Sequence, residues 1–505
     1  MTTLTTLARA EAVVEGRAQR TTLVRHVHVA ERPLVFIPLT MAGEANAPLA
    51  AMVGDDPDAA PTLLIVPQPR NRDQRFAFAA ELAAVVLPYV DSFRGELEAV
   101  SVNRGKDIRI RYADAPQLLV PNPGGAGFTR LFGRSTRFRR TDGDYAVHPS
   151  VPLLGRWLTY FAERAEHPGS CSLVAMTQAL TLHWATGQSP LEDAQLAALL
   201  AWIAPPDGLT GAQAAAAAED PVTWPPAGPV TDPSFDNEIL APAMTAYQRA
   251  VSADSLVDRR RAELEELLRS QLEPTWRLMW QGVSLLRDLP AGSRVDGRWA
   301  EDRDAFTNFT EYVDGGGFPQ ARRDGAVAAA KRLHRLERAQ ASYDVQRAYD
   351  DPMVMADYRL TGEAFVGEVT AADPTRVDSS GKKRILRPWI TVTTADPVLV
   401  TPGTKLFSPD RLSNQKATVV SAARNDGGSA EVVLELAGGM GSSLTPPPGS
   451  VPGVGERLCY TTLTDAFFPA GAFPTREETP WTHGGPPAPF DDGAPTAEDA
   501  REEWS

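Results

Sequence analysis

Near Tyr358 the apolar residues of this chain change their period. Upstream, Leu264, Leu268, Leu272, Trp276, Met279, Val283 and Leu286 recur at steps of three and four, which lays one stripe along a helix. Downstream, Val432, Leu434 and Leu436 alternate with Glu431, Val433 and Glu435, the period of a strand with one face buried. A single element cannot serve both periods, so a helical body ends and a β module begins near residue 358. Within 358–463 the runs Gly362–Thr370, Ile385–Thr394, Pro397–Val400, Thr404–Phe407, Ala417–Ala422, Ala430–Leu436 and Arg457–Thr461 read as short strands. Turn signals such as Pro402-Gly403 and Asn425-Asp426-Gly427-Gly428 separate them. Short strands at this spacing predict a small barrel, with Gly438–Val454 as a loop.

The preceding 200 residues predict helices over Pro152–Ala165, Ser172–Ala185, Leu191–Ile203, Asn237–Val251, Leu256–Leu289, Arg298–Val313 and Ala326–Tyr349. Pro274 removes a backbone donor from the fifth, so a kink or break is expected there. Seven of the ten tryptophans fall in this region and read as core packing. Ala204–Pro233, rich in Pro, Ala and Gly, reads as a long loop.

Residues 20–150 predict an α/β unit. Thr21–Val29, Pro33–Pro38, Thr62–Pro67, Ile108–Tyr112 and Gln117–Val120 read as strands, and Asp73–Val90 as a helix capped by Asp73. The expected fold class is a multi-domain α+β protein. It has an N-terminal extension at 1–19, an α/β domain at 20–150, a helical domain at 151–357, a barrel-like module at 358–463 and a disordered acidic, Pro-rich tail at 464–505.

The 505 residues carry a net charge of -14, distributed unevenly. Residues 101–140 hold nine basic residues against Asp107 and Asp114, and residues 464–505 hold nine acidic residues against Arg476 and Arg501. An acidic chain repels nucleic acid at long range, so any contact with it must be local. The longest apolar stretches, such as Ala194–Ala204, are short for a membrane span, and Met1–Leu23 lacks the apolar centre of a signal peptide. A cytoplasmic location is the resulting expectation. Cys171 and Cys459 read as reduced, buried thiols.

The chemical motifs are incomplete. Pro121–Phe128 (PNPGGAGF) is a glycine-rich turn with no following Gly-Lys-Ser/Thr to meet terminal phosphates or magnesium. None of the six lysines follows a carboxylate by two residues, as a common nuclease metal site requires. Asp56-x-Asp58 and Asp142-x-Asp144 read as loop carboxylates. His26-x-His28 pairs two imidazoles without a third ligand. His167-Pro-Gly-Ser170 has residue types suited to acyl transfer, but roles in a triad are spatial. No cofactor or metal is expected from these patterns, and no catalytic residue is assigned.

One constellation has a coherent chemistry. Arg104, Lys106, Arg109 and Arg111 precede Arg130, Arg134, Arg137, Arg139 and Arg140, with Phe128, Phe132 and Phe138 interleaved. Guanidinium forks match phosphate oxygens and aromatic faces stack on bases, so these twelve are the candidate nucleic-acid or anion-binding residues. The competing reading is a solvated face paired with the protein's own acidic surface.

Arg outnumbers Lys 44 to 6 and Ala is abundant, a composition similar to that of actinobacterial proteins. Over most of its length the chain resembles an uncharacterised actinobacterial family, which implies no function. The strand rhythm of 358–463 resembles small β-barrels of nucleic-acid-binding proteins and those inserted in superfamily-1 helicases. The helicase ATPase motifs are absent from the sequence, so no residue role carries over. The leading expectation is a non-catalytic adaptor or accessory subunit. It would hold a protein partner, such as a helicase-type, nucleic-acid-processing ATPase, and touch nucleic acid through 101–140. The alternatives are an enzyme with a site assembled from scattered residues at the α/β–helical junction, and a purely structural scaffold.

Overall fold

The computed structural model describes residues 2–464, apart from 45–46, 103–104, 227, 229, 382, 412–414 and 426. The expected disordered tail therefore lies outside the described residues, apart from Thr464. The chain folds as two compact units, the first over Thr5–Ala339 and the second taking up the chain at Gln340. The change of unit falls inside the helix Ala326–Asp350, about twenty residues before the change of period. The architecture is mixed α+β, helical and barrel-like by turns.

The first unit is built around a five-stranded sheet. Its strands are β1 (Leu34–Thr40), β2 (Pro48–Gly54), β3 (Thr62–Ile65), β6 (Leu118–Val120) and β7 (Leu173–Ala175), in the order β3-β2-β1-β6-β7. β1, β2 and β3 form an antiparallel meander, whereas β6 runs parallel to both β1 and β7. β2 escaped sequence reading because Pro48–Gly54 contains Ala50 and Ala51, small residues of low strand propensity. Burial on both faces makes such residues fit, and every residue of β2 up to Val53 is buried. β4 (Leu97–Val102) and β5 (Asp107–Tyr112) form a separate two-stranded hairpin.

Five helices of this unit position the side chains of the candidate site: α1 (Arg72–Asp91), α2 (Pro123–Thr136), α3 (Ser150–Ala165), α4 (Val257–Arg287) and α5 (Val295–Asp314). α1 is capped by Asn71, not Asp73: the Asn71 side chain accepts from the backbone of Asp73 and Gln74. α1 and the turn after it are long and apolar enough to cross a membrane by composition. Here Phe78, Leu82, Val86 and Val90 of that helix are buried in the core. α4 runs unbroken through Pro274, and its stripe from Leu264 to Leu286 is buried as expected. The segment predicted as a helix at Ser172–Ala185 instead gives β7, a short helix at Met176–Thr181 and a two-residue strand. The expected loop at 204–233 contains the helix Gly211–Ala218, started by a Thr210/Gln213 capping box.

One core unites these elements, from Ala12 through the sheet to Phe306, so the division expected at 150/151 runs through it. β7, from the region read as helical, completes the sheet by pairing with β6. The helix Thr3–Glu15 of the expected extension buries Ala12, and its Arg9 donates to Asp193 at 3.1 Å.

The second unit is a six-stranded antiparallel sheet: β8 (Ala364–Asp373), β9 (Trp389–Thr394), β10 (Lys405–Leu406), β11 (Lys416–Arg424), β12 (Ala430–Ala437) and β13 (Arg457–Thr461). The order is β10-β11-β12-β9-β8-β13, and a bridge between Phe407 and Thr461 nearly closes it into a barrel. Register shifts at Val369/Ala371 and Val419/Ser421 supply the curvature that closure needs. Gly367 lets β8 and β9 approach, since a Cβ there would lie 2.5 Å from Val392 Cγ1. Val432, Leu434 and Leu436 point into the core with Phe365, Ile390 and Tyr460, as the alternation predicts. A small hairpin, Val377–Asp378 paired with Ile385–Leu386, projects between β8 and β9.

Candidate functional site

Part of the basic constellation is engaged by the protein's own groups, and two of its arginines are buried. In the hairpin, Arg111 is buried: it donates to Glu98 at 2.5 Å and to the Ala300 carbonyl at 3.0 Å, and pairs with Asp304 at 3.4 Å. Arg109 donates to Asn308 at 2.5 Å and pairs with Asp304 at 3.6 Å. Both therefore clamp β5 onto α5. Arg130 at α2 pairs with Glu166. Arg137 is buried, donating to the carbonyls of Gln320 and Ala321 at 2.9 and 3.0 Å and to Thr159 at 3.2 Å. Burial lowers its guanidinium to about 10. Arg139 donates to the Ser135 carbonyl and lies 5.1 Å from the Phe76 ring centroid.

The aromatics are engaged in the same way. Phe128 and Phe132 stack on each other at 5.4 Å inside the core. Phe138 carries Arg137 at 5.1 Å and Arg322 at 5.4 Å from its centroid. Base stacking therefore has no ready platform among these three rings. Lys106, Arg134 and Arg140 are exposed, as is Arg130 despite its ion pair, and Arg104 lies outside the described residues. The signal available in the sequence was the set of carboxylates on α5 and around Glu166, which meet these guanidinium groups.

Inward-facing arginines force the other side of the hairpin outward. Cross-strand pairing places Leu97 opposite Tyr112, Ala99 opposite Ile110 and Ser101 opposite Ile108. Tyr112 reaches Phe306 at 5.3 Å, anchoring the base of the hairpin. Beyond it, Leu97 is 63% exposed, Ile110 50% and Ile108 74%. Among the described residues neither strand pairs with a third strand, and at the base of β5 the Tyr112 amide donates to the Thr307 hydroxyl of α5 at 3.0 Å. The alternation in DIRIRY predicts two faces, but not that the charged one is buried.

The motifs set aside on sequence have structural roles. Asn122 caps α2 after β6, accepting from Gly125 at 3.2 Å, and its amide donates to the Gly228 carbonyl at 3.0 Å. A Cβ at Gly125 would lie 2.8 Å from Val120 Cβ, so the glycine serves helix–strand packing. His28 stacks on Trp299 at 4.1 Å and burial lowers it to about 4, while His26 is buried beside His183. Ser170 donates to Asp302 at 2.6 Å with no histidine between them.

At the junction of sheet and helices, Asp302 is fully buried. It accepts from Arg164, from Ser170 and from the backbone of Cys171 at 2.6 Å each. Four donor atoms, counting the second Arg164 nitrogen, fill this carboxylate, which ties α5 to α3 and β7. Cys171 beside it is pushed up to about 12 by burial, as is Cys459 in the second unit. Among the described residues no group of three His, Cys, Asp or Glu is placed to hold a metal ion. A cleft of about 350 Å³ opens at the other end of the sheet, lined by Arg32, Asp55, Asp56, Gly54, Pro61 and Tyr89. Its polar groups already meet each other: Arg32 donates to Asp55 at 2.5 Å, and Tyr89 lies within bonding distance of the Arg32 and Gln117 carbonyls.

Comparison with family models, curated proteins and solved structures finds no match.

Proposed function

We infer that this protein is a non-catalytic adaptor whose principal contact is with another protein, made through the 97–112 hairpin. The observation that carries this reading is the exposed row of Leu97, Ala99, Ile108 and Ile110 on a hairpin that no third strand joins among the described residues. A contiguous apolar face rimmed by polar groups is a recurrent mark of association, and an open edge offers backbone donors and acceptors to an added strand. The occupant that fits is an extended segment of a partner protein with apolar residues at every second position, pairing with an edge and covering the row. The arginines do not compete with this use, because Arg109 and Arg111 are held on the opposite side by Asp304 and Glu98. This narrows the sequence expectation of a nucleic-acid patch at 101–140 to a protein contact. A helicase-type ATPase remains one partner class that an adaptor of this kind would serve.

The test replaces Ile108 and Ile110 with Glu and sizes the chain in extracts of its own cells. The expected result is that the parent elutes as a larger assembly and the variant shifts toward the 54.5 kDa of the free chain. Identical elution of the two, with both folded, contradicts the reading.

A further inference from the structure

A second basic element lies in the other unit, where sequence reading assigned no site. The segment Arg376–Arg387 holds Arg376, Lys382, Lys383, Arg384 and Arg387 against Asp378 alone, a net of +4 within a chain of net -14. In the structure it is the hairpin Val377–Asp378/Ile385–Leu386 that projects from the barrel between β8 and β9.

Its base is fixed. Leu386 is buried in the barrel core, and the Arg387 amide donates to the Arg376 carbonyl at 2.9 Å. The Arg376 side chain donates to the Arg387 carbonyl at 2.8 Å and to Glu435 at 2.7 Å. Its guanidinium also lies 4.1 Å from the Trp389 ring centroid, and the Trp389 indole donates to the same Glu435 at 3.2 Å. Near the turn, the Ser380 amide donates to the Asp378 side chain at 2.9 Å. That bond engages the hairpin's single carboxylate locally. Lys383 and Arg384 are exposed just before the returning strand, and among the described residues neither meets a carboxylate within ion-pair distance. In 101–140, Arg109, Arg111 and Arg130 meet the protein's own acids and Arg137 its carbonyls, leaving Arg134 and Arg140 exposed on or just past α2; here two adjacent cations are exposed next to an anchored hairpin base.

We propose that the Val377–Leu386 hairpin is a phosphate-backbone contact for nucleic acid, made by Lys383 and Arg384. The chemistry recognised is a row of phosphates. Cations of this kind give binding that is independent of base sequence and strongly dependent on salt. DNA and RNA share that chemistry, and a panel of probes separates them. This inference does not rest on the protein contact assigned to the 97–112 hairpin, which belongs to the other unit.

The experiment measures fluorescence anisotropy of labelled 20-nucleotide probes against the full chain. The probes are single-stranded DNA, duplex DNA and single-stranded RNA, each from 0.05 to 0.5 M salt. Lys383→Ala/Arg384→Ala is expected to flatten the logarithmic salt slope for duplex by about 1.8, from two lost phosphate contacts. At 0.1 M salt that corresponds to a loss of affinity on the order of tens-fold, with different base sequences affected alike. Lys383→Glu/Arg384→Glu is expected to abolish binding, and Lys383→Arg to preserve it. Thermal melts of each variant confirm that the fold is intact. Arg134→Ala/Arg140→Ala removes the same charge from the first unit and is expected to leave binding unchanged. Three results overturn the proposal: no binding by the parent, equal losses in the two alanine pairs, or preferential binding to phosphatidylserine vesicles over every oligonucleotide. Equal losses would mean that overall charge alone acts.

Discussion

Two antiparallel pairs in this molecule carry nearly the same alternation and resolve it in opposite ways. In β11–β12 of the barrel, Val432, Leu434 and Leu436 point inward and Glu431 and Glu435 outward. In the β4–β5 hairpin, Arg109 and Arg111 point toward α5, and Ile108 and Ile110 face solvent. The difference lies in what stands opposite. The barrel offers only other apolar residues, so burying a charge there would leave it unpaired. Helix α5 offers Asp304, Asn308 and the Ala300 carbonyl, which satisfy two guanidinium groups. Period two fixes which residues share a face; the neighbouring element decides which face is buried.

Mutation of the apolar side separates the two regions most sharply. Leu434→Asp places an unpaired carboxylate in the barrel core and is expected to destabilise that unit by more than about 4 kcal/mol. Ile110→Asp on the hairpin is expected to change stability by no more than about 0.5 kcal/mol. Urea unfolding of each full-length variant gives both values. A large loss for Ile110→Asp would mean that its face is buried after all.

The charged side should show the reverse ranking with a smaller amplitude. Arg111→Ala leaves Glu98 and Asp304 without their buried partner and is expected to cost about 1–3 kcal/mol, moderated because both carboxylates are partly exposed. Glu431→Ala, on the outward face of the barrel pair, is expected to stay within about 0.5 kcal/mol. Equal costs in the same urea series would remove the distinction between the two pairs.

α5 also carries Trp299, on which His28 stacks, and this gives a pH signature to the same support. Burial lowers His28 to about 4 from an ordinary value near 6.5. The folded state therefore holds His28 neutral while the unfolded state takes up a proton below about 6.5. The stability this contributes is complete above 6.5 and is lost as pH falls toward 4. Between pH 6.5 and 5 the first unit is expected to lose on the order of 1 kcal/mol through this group, and His28→Gln to lack that loss. His167, also lowered by burial, acts in the same sense; Glu163 and Glu301, raised by burial, act in the opposite one. Chemical denaturation of parent and variant at the two pH values measures the difference. Parallel losses in both would remove His28 as its source.

Much of this architecture was legible because periodicity and local propensity agree with it. The stripe of α4, the alternation of β12 and the change from helix to strand just after Tyr358 all survive in the structure. What escaped depended on tertiary context. β2 is made of small residues that only a two-sided core turns into a strand. α2 begins in Pro123-Gly124-Gly125, a poor helix former carried by its Asn122 cap and its packing on β6. The candidate site followed the same rule. The clustering of arginines at 101–140 was visible, but their partners on α5, at Glu166 and at Gln320 lie far along the chain. The exposed Lys383 and Arg384 were hidden just ahead of a run read as one strand from Ile385.

If the outward face of the β4–β5 hairpin is covered by another protein, a crosslinker placed on that face must find it. A photo-crosslinking residue at Ile108, and in a separate chain at Leu399 of the second unit, tests this in the protein's own cells. Both positions are strongly exposed, at 74% and 73%, so they differ in surroundings and not in access. The expected result is one defined protein adduct from position 108, absent from position 399 and lost when Ile110→Glu is added. Adducts that are the same from both positions, or that persist with Ile110→Glu, would contradict a protein contact through this hairpin.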